Sequence, residues 1–187
     1  LAELFLNGII DRTGRLKQNH NNRVKQGQEG LQFQVVQPGN GYQEIVITQP
    51  DIDNLIRSKA GVFAAIRVLM DSTQIKPEDL DMVYLAGGFG NYLNTSQAIT
   101  IGMLPDVPLE KIQYVGNTSI AGAKTVLLAR KALETAEEIA NNMTYFDLMS
   151  YPGYMEEFIR AKFLPHTDLS LFQSAAAAQT GRRQCEP

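Results

Sequence analysis

Three glycines fall within four positions in Tyr84-Leu85-Ala86-Gly87-Gly88-Phe89-Gly90-Asn91, directly after a short apolar run. Glycine lets backbone approach a ligand where a Cβ would collide, and in open α/β sheets ligands bind beyond the carboxyl ends of the strands. A tight turn needing positive φ explains a lone glycine cluster equally well, and the spacing is not that of a phosphate-cradling P-loop. A second junction shifts the balance. The apolar run Ile112–Val115 also ends in a glycine turn, Gly116-Asn117-Thr118-Ser119, which opens a helix with Thr118 or Ser119 as cap. Two neighbouring strands that each end this way favour one ligand-facing edge over two unrelated turns. Lys59 is a third candidate. On a helix with about 100° per residue it lies about 20° from Ile52, inside the apolar stripe of Ile52, Ile56, Phe63 and Met70. A lysine there must snorkel to solvent, pair with a carboxylate, or meet an anionic ligand at a cleft edge.

Elements that position these residues can be read along the chain. Leu1, Leu4 and Phe5 follow helical spacing, and the polar stretch from Asp11 to Gly30 reads as loop. Leu31–Val36 and Glu44–Thr48 are strand-like runs, joined through Pro38-Gly39-Asn40-Gly41 into a hairpin. Asp51 reads as the N-cap of a helix running to about Met70. Met82–Leu85 is a buried strand, Ser96–Ile101 a helix ended by Leu104-Pro105, and Ile112–Val115 a second buried strand. A long helix is expected from Ser119 to Asn141, with Gly122, Thr125, Ala129, Ala136 and Ala140 forming a small-residue stripe for close packing. Another helical stretch lies within Tyr145–Phe163, and an alanine-rich, then charged, tail from Ser174 is expected to be disordered. This order predicts an α/β domain.

Composition removes several function classes. A formal charge of −3 offers no basic surface for nucleic acid or anionic membrane. No apolar run approaches the roughly 20 residues that span a bilayer, so a cytoplasmic protein is expected. Cys185 is the single cysteine, which rules out an internal disulfide framework and an iron–sulfur cluster held by this chain alone. His20 and His166 lie in expected loops with no paired carboxylate at ligand spacing, so neither a metal site nor a Ser-His-Asp arrangement suggests itself.

Four segments, Gln49–Lys59, Tyr84–Asn91, Ile101–Pro105 and Val115–Ala123, together resemble the C-terminal part of the reductive activators of corrinoid proteins. These corrinoid-activating ATPases belong to the acetate and sugar kinase, chaperone and actin superfamily. The resemblance implies an RNase H-like lobe of an actin-like ATPase, with a mixed sheet flanked by helices. It divides the chain into residues 1–173 as that lobe, with 11–48 as a loop and hairpin insertion, and 174–187 as a tail. Complete members use ATP and Mg²⁺ to drive reduction of a Co(II) corrinoid protein to Co(I), and carry a [2Fe-2S] ferredoxin-like domain and an N-terminal lobe. The superfamily's adenosine motif, a strand followed by a Gly-Gly turn, matches Gly87, Gly88 and Gly90. A lysine on an adenine-side helix recurs in the chaperone branch, and Lys59 occupies the corresponding helix.

The nucleotide-binding candidates are therefore Gly87, Gly88, Phe89, Gly90, Asn91, Lys59, Gly116 and Asn117. No catalytic and no metal-binding residue is assigned. The family's glycine-serine-glycine phosphate motif, its first-lobe phosphate motif and its cluster cysteines are not in this sequence. The expectation is an adenosine-binding half of an ATP-dependent corrinoid reductive activator, inactive alone, with a corrinoid protein as partner and a homodimer allowed. A non-catalytic module of the same fold, docking a corrinoid protein or a partner lobe, is the alternative.

Overall fold

The computed structural model describes residues 1–18, 22–39, 41, 43–88 and 90–175. The chain opens with a short helix, α1 (Ala2–Leu6), that turns Ala2, Leu4 and Phe5 inward. A turn organised by Asp11 follows, its carboxylate accepting from the backbone N–H groups of Thr13 and Arg15. Three strands then pair antiparallel in the order β1 (Val24–Gly27), β2 (Gly30–Val36), β3 (Ile45–Thr48). The β2–β3 pair is the expected hairpin. Strand β1 falls where a loop was expected, because only Val24 of its four residues is buried and no apolar alternation marks it.

The central element is α2 (Gln49–Thr73). Its N-cap is Thr48 and not Asp51. Asp51 sits in the first turn and closes a capping box, accepting from Thr48 N–H at 2.9 Å while Thr48 Oγ1 accepts from Asp51 N–H at 3.3 Å. Pro50 takes a first-turn position where its missing N–H is harmless. The N-terminal half of α2 places Ile52 and Ile56 over the three-stranded sheet, against Phe5, Ile10, Leu16 and Phe33. The C-terminal half packs Ala60 and Phe63 against Ile99, Leu104, Ala161 and Phe172. One helix thus serves two adjacent apolar clusters.

Beyond α2, β4 (Val83–Ala86) and β5 (Ile112–Gly116) form a separate parallel pair, with α3 (Thr95–Thr100) between them in sequence. The strands of this α/β fold therefore lie in two sheets where one mixed sheet was expected. Leu85 and Ile112 face the second cluster, whereas Tyr84 and Val115 on the other face stay exposed.

The expected long helix is two helices, α4 (Thr118–Leu128) and α5 (Arg130–Asn142), separated by extended backbone at Ala129. Neither buries a residue, and Leu127 and Leu128 are 85% and 88% exposed. Alanine is a strong helix former, so the break has no local cause. Without a packed face, propensity alone has to hold a long helix straight, and the small-residue stripe packs against nothing described. The last helix, α6 (Tyr154–Ala161), lies along α2 and leads into residues 162–175. The expected tail is packed at its start: Ser174 N–H donates to Asp106 at 2.9 Å and Ala175 is buried. Its remainder, including Cys185, lies outside the described residues, as does His20. No helix among the described residues is long and apolar enough to cross a membrane.

Candidate functional site

The parallel register of β4 and β5 brings both glycine turns to one edge of one sheet. Gly87 N–H donates to Gly116 O at 2.9 Å, so the ladder continues from the strands into the turns themselves. Gly87 and Gly116 hold φ of +111° and +77°, in the left-handed region where a side chain is strained. Gly88 has no such requirement. A Cβ at Gly87, Gly88 or Gly116 would meet no described atom within 4 Å apart from chain neighbours, so the space over this edge is open. Gly88 is thus a glycine that neither backbone conformation nor packing among the described residues demands.

The other candidates divide. Asn117 adjoins the edge, but its side-chain oxygen accepts from Ile120 N–H at 3.2 Å and serves as the N-cap of α4. Gly90 opens a short 3-10 turn, Gly90–Tyr92, that includes the backbone of Asn91. Phe89 lies outside the described residues, as does the side chain of Asn91. Tyr114, which sequence reasoning passed over as an ordinary strand residue, donates its hydroxyl to Gly87 O at 2.6 Å. Only the alternation of β5, with Tyr114 on the same face as Ile112, hinted that it would lie under the first turn.

Lys59 neither snorkels nor lines a cleft. It is 2% exposed, and Nζ donates to Phe163 O at 2.6 Å and Pro165 O at 2.7 Å. Burial pushes its ammonium down to about 7. Arg12 takes the alternate carbonyls, Nε donating to Leu164 O at 3.3 Å and Nη2 to His166 O at 2.7 Å. Two cations from distant parts of the chain therefore satisfy consecutive carbonyls from 163 to 166. The helical position of Lys59 is that of a core residue, and a bend of bare carbonyls supplies the partners that a ligand was expected to supply.

His166 corrects a second expectation. It is buried, with Nδ1 accepting from Asp168 N–H at 3.0 Å and Nε2 lying 3.3 Å from Glu157 Oε1. Arg67 Nε is 3.8 Å from the same oxygen. The close approach of His166, with the charges of Arg67 and Arg160, holds the Glu157 carboxyl below its ordinary value against the opposing effect of burial. The carboxylate missing from the sequence pattern comes from α6. This group joins α2 to α6 and takes no part in the glycine edge.

For a nucleotide, the open space at this edge suits one end only. Open space over adjacent glycine backbone suits a flat nucleoside held through main-chain groups. Among the described residues no group of three or more His, Cys, Asp or Glu is placed to hold a metal ion.

Residues 1–176 match the family described as the C-terminal domain of RACo, the ASKHA domain. The chain is 29% identical over 129 residues to the corrinoid activation enzyme RamQ of Eubacterium limosum, covering 68% of this chain and 22% of that protein. It is 32% identical over 105 residues to a Co(II) methylated amine-specific corrinoid protein reductase of Methanosarcina barkeri, covering 56% of this chain and 19% of that protein. A solved reductive activator for a corrinoid, iron-sulfur protein superposes with a TM-score of 0.85 at 47% identity, over 92% of this chain and 28% of that one. The chain thus spans less than a third of each of these relatives. With its α/β architecture and a family match over almost its whole length, the chain belongs to the RACo C-terminal ASKHA domain family, whose fold is actin-like.

Proposed function

We propose that residues 1–173 form a lobe supplying the adenosine side of a nucleotide cleft in an ATP-dependent reductive activator of a corrinoid protein. In this reading 11–48 is an insertion into the lobe. The observation that carries it is the pair of hydrogen-bonded glycine turns at one sheet edge, with open space over Gly88. Named relatives that activate or reduce corrinoid proteins support the same activity and partner here.

Within that cleft the chain's residues bind and orient. Gly87 and Gly116 shape the backbone, and Gly88 leaves room for close approach. Asn117 keeps the start of α4 in place beside them. ATP would supply the free energy that makes reduction of Co(II) to Co(I) favourable, with the electron delivered by a [2Fe-2S] domain elsewhere in the protein. Phosphoryl transfer needs groups around Mg²⁺ and the γ-phosphate, and no residue of this chain is proposed for that role. The 187 residues alone are therefore expected to lack ATPase activity.

The exposed apolar side chains of α4 and α5, Leu127 and Leu128 among them, favour a second role for the same lobe as a docking face for further protein. Calorimetric titration of ATP into the full-length protein and its Gly88→Val variant tests the nucleotide reading. An isopropyl group over the edge should weaken binding at least about tenfold, near 1.4 kcal/mol. Equal affinities would leave docking as the function of the lobe.

A further inference from the structure

Tyr114 occupies a position that the proposed nucleotide site does not yet account for. It stands on β5, half-buried, opposite Leu85 in the parallel register. Its hydroxyl donates to Gly87 O at 2.6 Å, and its ring fills the space beside Gly90, where a Cβ would come within 2.7 and 2.9 Å of Cε2 and Cδ2. The N–H of Gly87 is already bonded to Gly116 O. Both backbone polar groups of Gly87 are thus used within the chain, one by the neighbouring turn and one by Tyr114.

The consequence falls on the next residue. Gly87 O and Gly88 N–H belong to one peptide plane, and the bond is trans. A trans plane sends its N–H opposite to its C=O. By holding Gly87 O, the phenol therefore turns Gly88 N–H to the side away from the phenol.

We propose that Tyr114 is a positioning residue for the nucleotide: its bond to Gly87 O and its ring beside Gly90 aim the Gly88 amide at the bound nucleoside. This rests on the reading that the Gly87–Gly90 turn holds ATP. Tyr114 need not touch the ligand, since it acts through the peptide plane it holds.

The test is titration of ATP, ADP and tripolyphosphate into the full-length protein and its Tyr114→Phe, Gly90→Ala and Gly88→Val variants. Tyr114→Phe keeps the ring and loses only the hydroxyl. It should weaken ATP and ADP by a common factor, roughly three- to tenfold for one lost hydrogen bond, and leave tripolyphosphate unchanged. Gly90→Ala, which pushes the ring aside, should weaken the same two nucleotides even if the Tyr114 variant folds poorly. In turnover the loss should appear in KM for ATP and not in kcat. If Gly88→Val weakens ATP while Tyr114→Phe and Gly90→Ala bind like wild type, the positioning role is wrong and the site stands. If Gly88→Val also binds like wild type, the site itself is wrong and the positioning role falls with it. Equal loss for tripolyphosphate would make Tyr114 a general structural residue and overturn the inference.

Discussion

Replacing Lys59 by methionine should remove a pH dependence of stability that few other residues of this chain could produce. The lysine is 2% exposed, and its ordinary value of 10.5 falls to about 7 through burial. Below pH 7 the ammonium is charged in both folded and unfolded chains, and the folded state carries the full desolvation penalty. Between pH 7 and 10.5 the unfolded chain keeps the proton that the folded chain releases, so stability rises with pH and levels off above 10.5. The mid-window slope is about 1.4 kcal/mol per pH unit. Allowing for half-protonation at pH 7, the gain from pH 7 to 9 is about 2 kcal/mol. Lys59→Met abolishes that gain while keeping most of the volume. It also strips Phe163 O and Pro165 O of their donor, at about 1–3 kcal/mol each, so stability at a single pH decides nothing. The change between two pH values does. Urea unfolding of the chain and the variant at pH 7 and 9 should show wild type gaining about 2 kcal/mol more than Lys59→Met. Other groups that titrate in this range are common to both proteins and cancel. Equal gains would refute the buried-ammonium account.

Two further substitutions probe the frame that carries the site. Thr48→Ala removes the hydroxyl that accepts from Asp51 N–H and should lower stability by about 1 kcal/mol in urea titrations, with unchanged nucleotide affinity. Gly102→Ala places a Cβ 2.1 Å from Pro165 O at a φ of +72°, and should destabilise the chain by at least about 2 kcal/mol in the same assay.

The parts legible in the sequence were those in which local chemistry and tertiary demand agree. Gly87 and Gly116 read as turns beyond strands because positive φ after a short apolar run has few other uses, and the parallel register then made them neighbours. The β2–β3 hairpin was legible from Pro38-Gly39-Asn40-Gly41 between two apolar runs. Strand β1 was hidden because it needs only Val24 in the core. The helix start moved from Asp51 to Thr48 because both residues carry capping oxygens, and the structure uses the two reciprocally. Lys59 was legible as a member of the apolar stripe but not in its partners, since Phe163 and Pro165 lie 104 and 106 residues away and backbone carbonyls leave no mark in side-chain type. The Glu157–His166 pair and the Tyr114 hydroxyl bond were hidden for the same reason: each joins elements whose proximity is set by the fold.

In the proposed function, nucleotide sits at the edge made by the ends of β4 and β5. Photolabelling of the full-length protein with 8-azido-ATP, competed by ATP and followed by peptide mapping, locates the adenine directly. The account predicts competed label in peptides covering residues 84–92 and 112–118. Competed label confined to α2 around Lys59, or to peptides outside this chain with none at these two turns, would contradict it.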